Sequence, residues 1–446
     1  MFRLSVIIAL AITVFSSWCH AEFRLDARPS LTVDGRYTDN LNLDAEVDDP
    51  QSDFVSSMTP GLLLSLEGQY NLFQLEWAPT YSKYMNSPEN DAWRQYFVAR
   101  SMNELAEHLA FSSRSSIVKT EAPLGDIRLT EEDIITDIDP GVTDDTIRKG
   151  LYTVTTYTTS NRLTYDFGPE DDMFLSYTFN VREDDAPDGN SYQRHVSGIG
   201  GTYWMTDRWG VELGASGTHG IFTGDSPYEL NLFNAFLKGM YRFSRNLDGF
   251  ARYEELRAYG YGEGSDPSDD YITHSGVVGV DYQPWENSEF SFGLGYYKQL
   301  VSSERNQEGL FPYVSGRYDM SFMQGRGKLG VRAGSGISES NFGSESLGFQ
   351  QSMSGSANAS YAITKRWLAA ADASLSYHDY VNQEPDRQDT IMQASGGFDY
   401  ILTTWLRAYA RYSHRRVDST QDDAGYSENS ILFGITAVSP DIPIIK

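Results

Sequence analysis

The chain has 446 residues and a formal net charge of −27, with Tyr 29, Phe 23, Trp 8, Gly 39 and only 40% hydrophobic residues. That charge excludes a nucleic-acid partner, because a polyphosphate needs a basic footprint. No long apolar stretch follows Phe15, which excludes a helical membrane protein.

The chain opens on a short cationic start, Met1 to Arg3, followed by an apolar run, Leu4 to Phe15. Ser16 to Ala21 then lead to Glu22, with Cys19 and Ala21 three and one residues before the expected cut. This reads as a cleaved secretory signal peptide at 1–21, too short to span a bilayer as a helix. A lipoprotein would use Cys19 as its lipidated residue, but Trp18 stands where a small residue is preferred. Cys19 is the only cysteine, so residues 22–446 carry no disulfide and no thiolate metal ligand.

Behind the leader the chain is expected to form one domain, 22–446, built on a repeat of about forty residues. Short polar turns centre near Gly168-Pro169, Asp207, Asn246, Glu286, Gly325, Lys365 and Thr404. Longer polar segments lie between them: 184–191, 223–229, 262–270, 302–308, 338–346 and 382–389. Turns near 68–71 and 103–107, with loops at 44–52, 86–93 and a long outer loop at 119–150, extend the pattern towards the N-terminus. Each unit then holds two strands long enough for a tilted membrane crossing. The expected fold is all-β: a transmembrane antiparallel up-and-down β-barrel of about twenty strands, with eighteen as the alternative. Short turns would face the periplasm and longer acidic loops the exterior, with 439–446 as a short periplasmic tail.

Alternation inside the repeats supports strands. Phe290, Phe292, Leu294 and Tyr296 share one face of 289–299, opposite Ser291, Gly293, Gly295, Tyr297 and Gln299. Met173, Leu175, Tyr177, Phe179 and Val181 likewise oppose Ser176, Thr178, Asn180 and Arg182. A period of two with one apolar face is the strand signature. A soluble sandwich shows the same pattern turned inward, so the tryptophans arbitrate. Trp204, Trp209, Trp285, Trp367 and Trp405 all sit beside short turns, as a periplasmic aromatic girdle would.

The N-terminal strands carry a further pattern. Thr38-Asp39-Asn40 closes one strand, Ser52-Asp53 opens the next, Pro60-Gly61 lies in its middle, and Tyr81 and Tyr84 end an alternating strand. Over about 31–84 this resembles the opening of the "putative β-barrel porin 2" proteins. The resemblance implies an outer-membrane barrel associated with exopolysaccharide synthesis and export, a cell-outer-membrane location and no transferable catalytic residues. The end of the chain departs from the common barrel pattern, continuing past Phe433 to "AVSPDIPIIK" instead of stopping on an aromatic residue.

Other chemistry is sparse. The seven histidines show no H-x-x-x-H spacing, and no H-E-x-x-H, G-x-S-x-G or P-loop occurs, so no metal, no cofactor and no enzyme activity are expected. His378-Asp379 with Asp372, Ser374 and Ser376 is the one arrangement that resembles a barrel hydrolase site, and polar lumen residues are its plainer reading. Alternating acids at 137–145 lack an EF-hand pattern and read as a solvated loop.

By alternation the lumen face is expected to carry Arg182, Glu212, Lys238, Arg242, Arg317, Asp319, Lys328, Arg332, Asp372, Asp399, Arg407, Tyr409, Arg411 and Arg415. Arg407, Tyr409 and Arg411 suit a sugar or anion track, since guanidinium forks bind carboxylates and a flat ring stacks on a pyranose. The expected function is a porin for polysaccharide or small polar solutes. The alternative is a non-conducting structural or anchoring barrel of an exopolysaccharide or surface-attachment system. Expected partners are outer-membrane lipid and lipopolysaccharide, the barrel-assembly machinery and polysaccharide-export components.

Overall fold

The structure is a computed structural model. It describes residues 23–45, 50–120, 151–186, 189–224, 227–262, 270–301, 306–342, 348–381, 387–421 and 424–445. The leader at 1–21, most of the loop at 119–150 and the acidic run at 137–145 lie outside the described residues.

Twenty-two strands follow in chain order. They are β1 Arg24–Thr38, β2 Asp53–Glu67, β3 Asn71–Trp77, β4 Thr80–Tyr84, β5 Ala92–Ala106, β6 Leu109–Thr120, β7 Val154–Asp166 and β8 Asp172–Asp184. Then come β9 Ser191–Trp204, β10 Trp209–Thr223, β11 Tyr228–Ser244, β12 Leu247–Gly262, β13 Tyr271–Tyr282, β14 Ser288–Val301 and β15 Gln307–Phe322. The last are β16 Gly327–Glu339, β17 Phe349–Ala362, β18 Trp367–Val381, β19 Arg387–Thr403, β20 Leu406–Ser419, β21 Tyr426–Val438 and β22 Ile442–Ile445. Antiparallel pairing runs from neighbour to neighbour and ends with β21 on β1, so the sheet closes.

These strands make twenty crossings of a closed antiparallel barrel. β3 and β4 are two halves of one crossing, interrupted at Ala78-Pro79 because proline has no N–H to give the ladder. The register continues across the break: Leu62 faces Trp77 on β3 and Met58 faces Tyr81 on β4. β22 extends the last crossing. Within the stretch expected as a short periplasmic tail, 439–446, Ile442 and Pro443 pair with Ala27 and Asp26, below the segment that β21 occupies on β1. β1 outruns β21 at this end, and the tail covers backbone groups that would otherwise form an open sheet edge.

The repeat of turns and loops is reproduced. Short turns fall at 167–171, 205–208, 245–246, 283–287, 323–326, 363–366 and 404–405, each near the residue that marks it in the sequence. The β15–β16 turn takes left-handed backbone at Met323, Gln324 and Gly325 (φ 50, 60 and 82). Only glycine adopts that conformation without penalty, so Gly325 is the position the turn needs most.

Side-chain alternation sets two faces. Outward positions carry large apolar groups open to the surroundings, such as Val278 at 70% and Leu310 at 67% exposure, with Leu213, Leu237 and Phe292. For a chain whose strands cross a bilayer, that surface meets lipid. Among the described residues no helix is long and apolar enough to span a membrane.

Candidate functional site

The barrel interior is the candidate site, and three walls of different chemistry make it up. Inward-facing side chains of β9 to β14 supply most of two buried aromatic and aliphatic clusters. Tyr192, Phe222, Leu230, Leu232, Ala258, Tyr271 and Val301 form one buried cluster with Phe342. Met240, Phe250, Val277, Tyr297, Phe311 and Phe349 form a second. This side of the lumen is packed with side chains. Phe342 comes from the outer loop after β16, folded back into the barrel. The Tyr192 hydroxyl donates to the Phe342 carbonyl at 3.2 Å, and the Arg194 guanidinium lies 4.8 Å over its ring. Gly220 makes the docking possible, since a Cβ there would collide with the Phe342 ring.

The loop after β1 also turns inward. Leu43 packs with Val417 and Tyr426, and Leu41 packs with Val55 and Tyr84. Asn40 holds this loop: it is 1% exposed, and its amide donates to the Asp44 carbonyl at 2.8 Å and the Ser427 carbonyl at 2.9 Å. Its neighbours close the barrel seam. Thr38 donates to Glu428 at 2.8 Å, and Asp39 accepts from the Asn429 backbone and side-chain amides at 2.7 Å each. Asp53 accepts from the Asn86 backbone at 2.9 Å. The Thr38-Asp39-Asn40 and Ser52-Asp53 pattern thus works in closure and loop folding.

The second wall, β15 to β19, is small and hydrophilic. Ser315, Ser354, Asn358, Ser374 and Gln393 face inward and stay exposed, so water reaches them inside the barrel. The third wall runs from β20 through β1 to β7 and carries arginines.

The expected lumen residues fall into these walls as follows. Arg182 is buried, at 4% exposure, and ion-paired with Asp184 at 2.8 Å, so it braces the end of β8. Glu212 and Lys238 face each other across β10 and β11. Lys238 reaches Asp281 at 2.9 Å. Arg242 bridges Glu170 at 2.7 Å and Asp248 at 3.4 Å, over the Trp204 ring. Arg317 bonds Asp319 at 2.6 Å and stands directly opposite Arg332, while Lys328 lies opposite Ser321 and Ser360. Asp372 accepts from Ser395 at 3.0 Å. Asp399 lies 3.9 Å from Arg407, Tyr409 donates to Asp34 at 3.3 Å, and Arg415 lies over Tyr426. Arg407 and Arg411 remain exposed within the lumen.

Four of the five girdle tryptophans face outward at the short-turn end. Trp209 meets Tyr241 at 4.8 Å, Trp285 meets Tyr318 at 5.5 Å, Trp367 meets Tyr400 at 4.6 Å, and Trp405 is exposed in its turn. Trp204 turns the other way. Its ring lies under Arg242 and against the Met240 cluster, and Tyr203 takes the outward position. Strand parity decides this: Trp204 stands opposite Gly210, an inward residue of β10.

The same parity divides the hydrolase-like group. His378 is buried on the inward face beside Tyr380, whereas Asp379 faces outward and accepts from Gln388 at 3.4 Å. Among the described residues no group of His, Cys, Asp and Glu is arranged to hold a metal. The expected list holds Arg407, Arg411 and Arg415 of the third wall but not Arg36, Arg94, Arg100, Arg114 and Arg162, although Thr32, Asp34, Arg36 and Thr38 alternate visibly in the sequence.

Comparison with known proteins places this architecture. Residues 317–438, from β15 to the end of β21, match the family described as "Putative beta-barrel porin 2". No curated protein matches the chain. Among solved structures, the chain is similar to the outer membrane protein OpdK of Pseudomonas aeruginosa (11% identity, 93% of this chain and 99% of that one, TM-score 0.39). It is also similar to OccAB3 of Acinetobacter baumannii (13% identity, 94% and 99%, TM-score 0.37) and to OccK3 of Pseudomonas aeruginosa (12%, 93% and 96%, TM-score 0.40). The matched family is one of porins, channels and not enzymes. The chain is thus a closed β-barrel of twenty crossings whose C-terminal part, residues 317–438, matches a porin family, and its apolar outer face fits the outer membrane.

Proposed function

We propose that this porin passes small polar solutes, saccharides among them, passively along the β15 to β20 side of its lumen. The observation that carries the reading is the row of inward, water-exposed Ser315, Ser354, Asn358, Ser374 and Gln393 beside exposed Arg407 and Arg411. Short hydroxyl and amide side chains leave room for a hydrated solute and exchange hydrogen bonds with sugar hydroxyls at little net gain or loss. Tyr409, between the two arginines on the same face, offers a ring for stacking against a pyranose. Polysaccharide passage, with export components as partners and lipopolysaccharide around the acidic loops, extends the same reading.

Liposome swelling tests it. Vesicles holding the purified chain should swell in mono- and disaccharide solutions at rates that fall with solute size. Swelling no faster than in empty vesicles would contradict it. A second reading is favoured by the inward-folded Phe342 and Leu41–Leu43: a barrel filled by its own loops, serving as an anchor for an exopolysaccharide or surface-attachment system. Loss of polysaccharide export on deletion, with no swelling, would support that reading instead.

A further inference from the structure

We infer that the outward face of β5 to β8 is a twofold interface, within the membrane, between two copies of this chain. The inference goes beyond the porin reading above and depends only on the barrel and its lipid-facing belt.

Over much of the barrel that belt is apolar at mid-height. Leu213, Leu237, Val278, Phe292, Leu294 and Phe433 stand there, each well exposed. β5 to β7 break the pattern. Strand register puts Phe73, Ser101, Ser113, Asn161 and Tyr177 in one outward row. The neighbouring outward row holds Leu75, Ala99, Ser115, Thr159 and Phe179. Ser113 is the fifth of the 12 residues of β6, and Asn161 is the eighth of the 13 residues of β7. Both therefore lie near the middle of their crossings, where the surroundings are hydrocarbon.

Hydrogen bonding separates the centre of this patch from its edges. The Asn103 amide donates to the Ser101 hydroxyl at 2.7 Å, and the Ser115 and Thr159 hydroxyls bond each other. Nearer the outer loops, Tyr177 and His195 share a hydrogen bond of 2.8 Å, as do His219 and Asn231. Tyr253 and His274 are joined in the same way, also at 2.8 Å. Those outward polar groups are satisfied in pairs. Ser113 and Asn161 stand directly opposite each other and half-exposed, and among the described residues neither side chain makes a hydrogen bond. Lipid tails offer neither donor nor acceptor, so an amide and a hydroxyl left open at this depth are costly.

The chemistry of the patch selects its occupant. It carries no charge, and hydroxyl and amide groups both donate and accept, so the patch is complementary to a copy of itself. Two Asn161 carboxamides meeting at a twofold axis exchange hydrogen bonds, each N–H donating to the partner's carbonyl oxygen. Ala99, Ser101, Ser113 and Ser115 are short enough to let a second barrel approach closely, and Phe73, Leu75, Phe111 and Leu163 frame them with apolar packing surface. The same patch on both partners makes an isologous contact, which closes at two copies. A larger ring would need a second, different patch, and the mid-height belt at Leu213, Leu237, Val278, Phe292 and Leu294 offers lipid-like surface instead.

The test uses the full-length chain, in outer membranes and after purification in mild detergent. Light scattering corrected for detergent should give the purified chain twice the mass of one copy. In membranes treated with a short thiol-to-thiol reagent, Asn161→Cys should yield a cross-linked dimer. Val278→Cys, at mid-height on β13, should not. Replacing the open pair, Ser113→Leu with Asn161→Leu, suits this face to lipid and should turn the dimer into a folded monomer with unchanged solute entry. A dimer that survives this replacement overturns the inference, and so do cross-links equally strong from positions 161 and 278. A threefold mass overturns the twofold contact. A monomer in detergent with no cross-link from position 161 in membranes overturns the interface altogether. The wild-type mass and the cysteine cross-links decide the matter even if the leucine variant fails to fold. Liposome swelling tests the porin reading separately, so the two fail independently.

Discussion

Asn40 shows how one side chain serves both the fold and the lumen. It is buried, ties the first outer loop to β21 and turns that loop inward. Asn40→Ala leaves buried carbonyls without their donor, which should destabilise the barrel by about 1–3 kcal/mol. A urea unfolding midpoint measured in detergent would show it, and an unchanged midpoint would remove Asn40 from the seam. A second residue-scale contact lies at the opposite end, outside the membrane-spanning segments. Arg28 grips Asp441 through two bonds of 2.7 and 3.0 Å, and this hydrogen-bonded guanidinium holds the Asp441 carboxyl below its ordinary range. A depressed carboxyl contributes its stabilisation above the unfolded value and loses it as pH falls through the folded one. Hydrogen exchange at Ile442 and Ile444 should therefore quicken on acidification below the ordinary carboxylate range. In Asp441→Asn it should already be fast at neutral pH.

At the scale of elements, alternation made the strands legible and parity decided which reading of each residue held. The turns near Asn246, Gly325 and Lys365 were readable because short polar turns interrupt alternating runs at a regular spacing. Trp204 was not, because its distance from the turn fits a girdle while its parity points it inward beneath Arg242. The hydrolase-like pair had the same flaw: adjacent residues on a strand face opposite ways, so His378 and Asp379 cannot meet there. Which face meets lipid can be checked by substitution. Val278→Arg, on the outward face of β13, should weaken the barrel by about 2–4 kcal/mol if it lies near mid-membrane. Ser374→Arg, inward on β18, should be tolerated. Equal effects at the two sites would contradict the assignment of faces.

Long-range packing was the part that sequence could not reveal. Phe342 reads as an ordinary loop aromatic, and nothing local announces that Gly220, on a distant strand, leaves space for its ring. The inward turn of Leu41 and Leu43 was hidden in the same way, just ahead of the loop expected at 44–52. Phe342→Ala should leave the strands paired, because the barrel ladder does not depend on it. It should also enlarge the water-accessible cross-section. Single-channel conductance should rise above wild type, and an unchanged value would mean that Phe342 does not narrow the path.

On the scale of the whole molecule, the lumen has walls of unlike chemistry, with buried aromatic clusters on one side and small hydrophilic side chains on β15 to β19. Filling one side with aromatic clusters also lets a barrel of twenty crossings enclose a path much narrower than its outline. The most direct test of this account is single-channel recording of the purified chain in a planar bilayer. The account predicts discrete, ohmic steps that persist at low voltage, as an open water-filled path along the hydrophilic wall requires. Inserted, folded protein that produces no steps would contradict it.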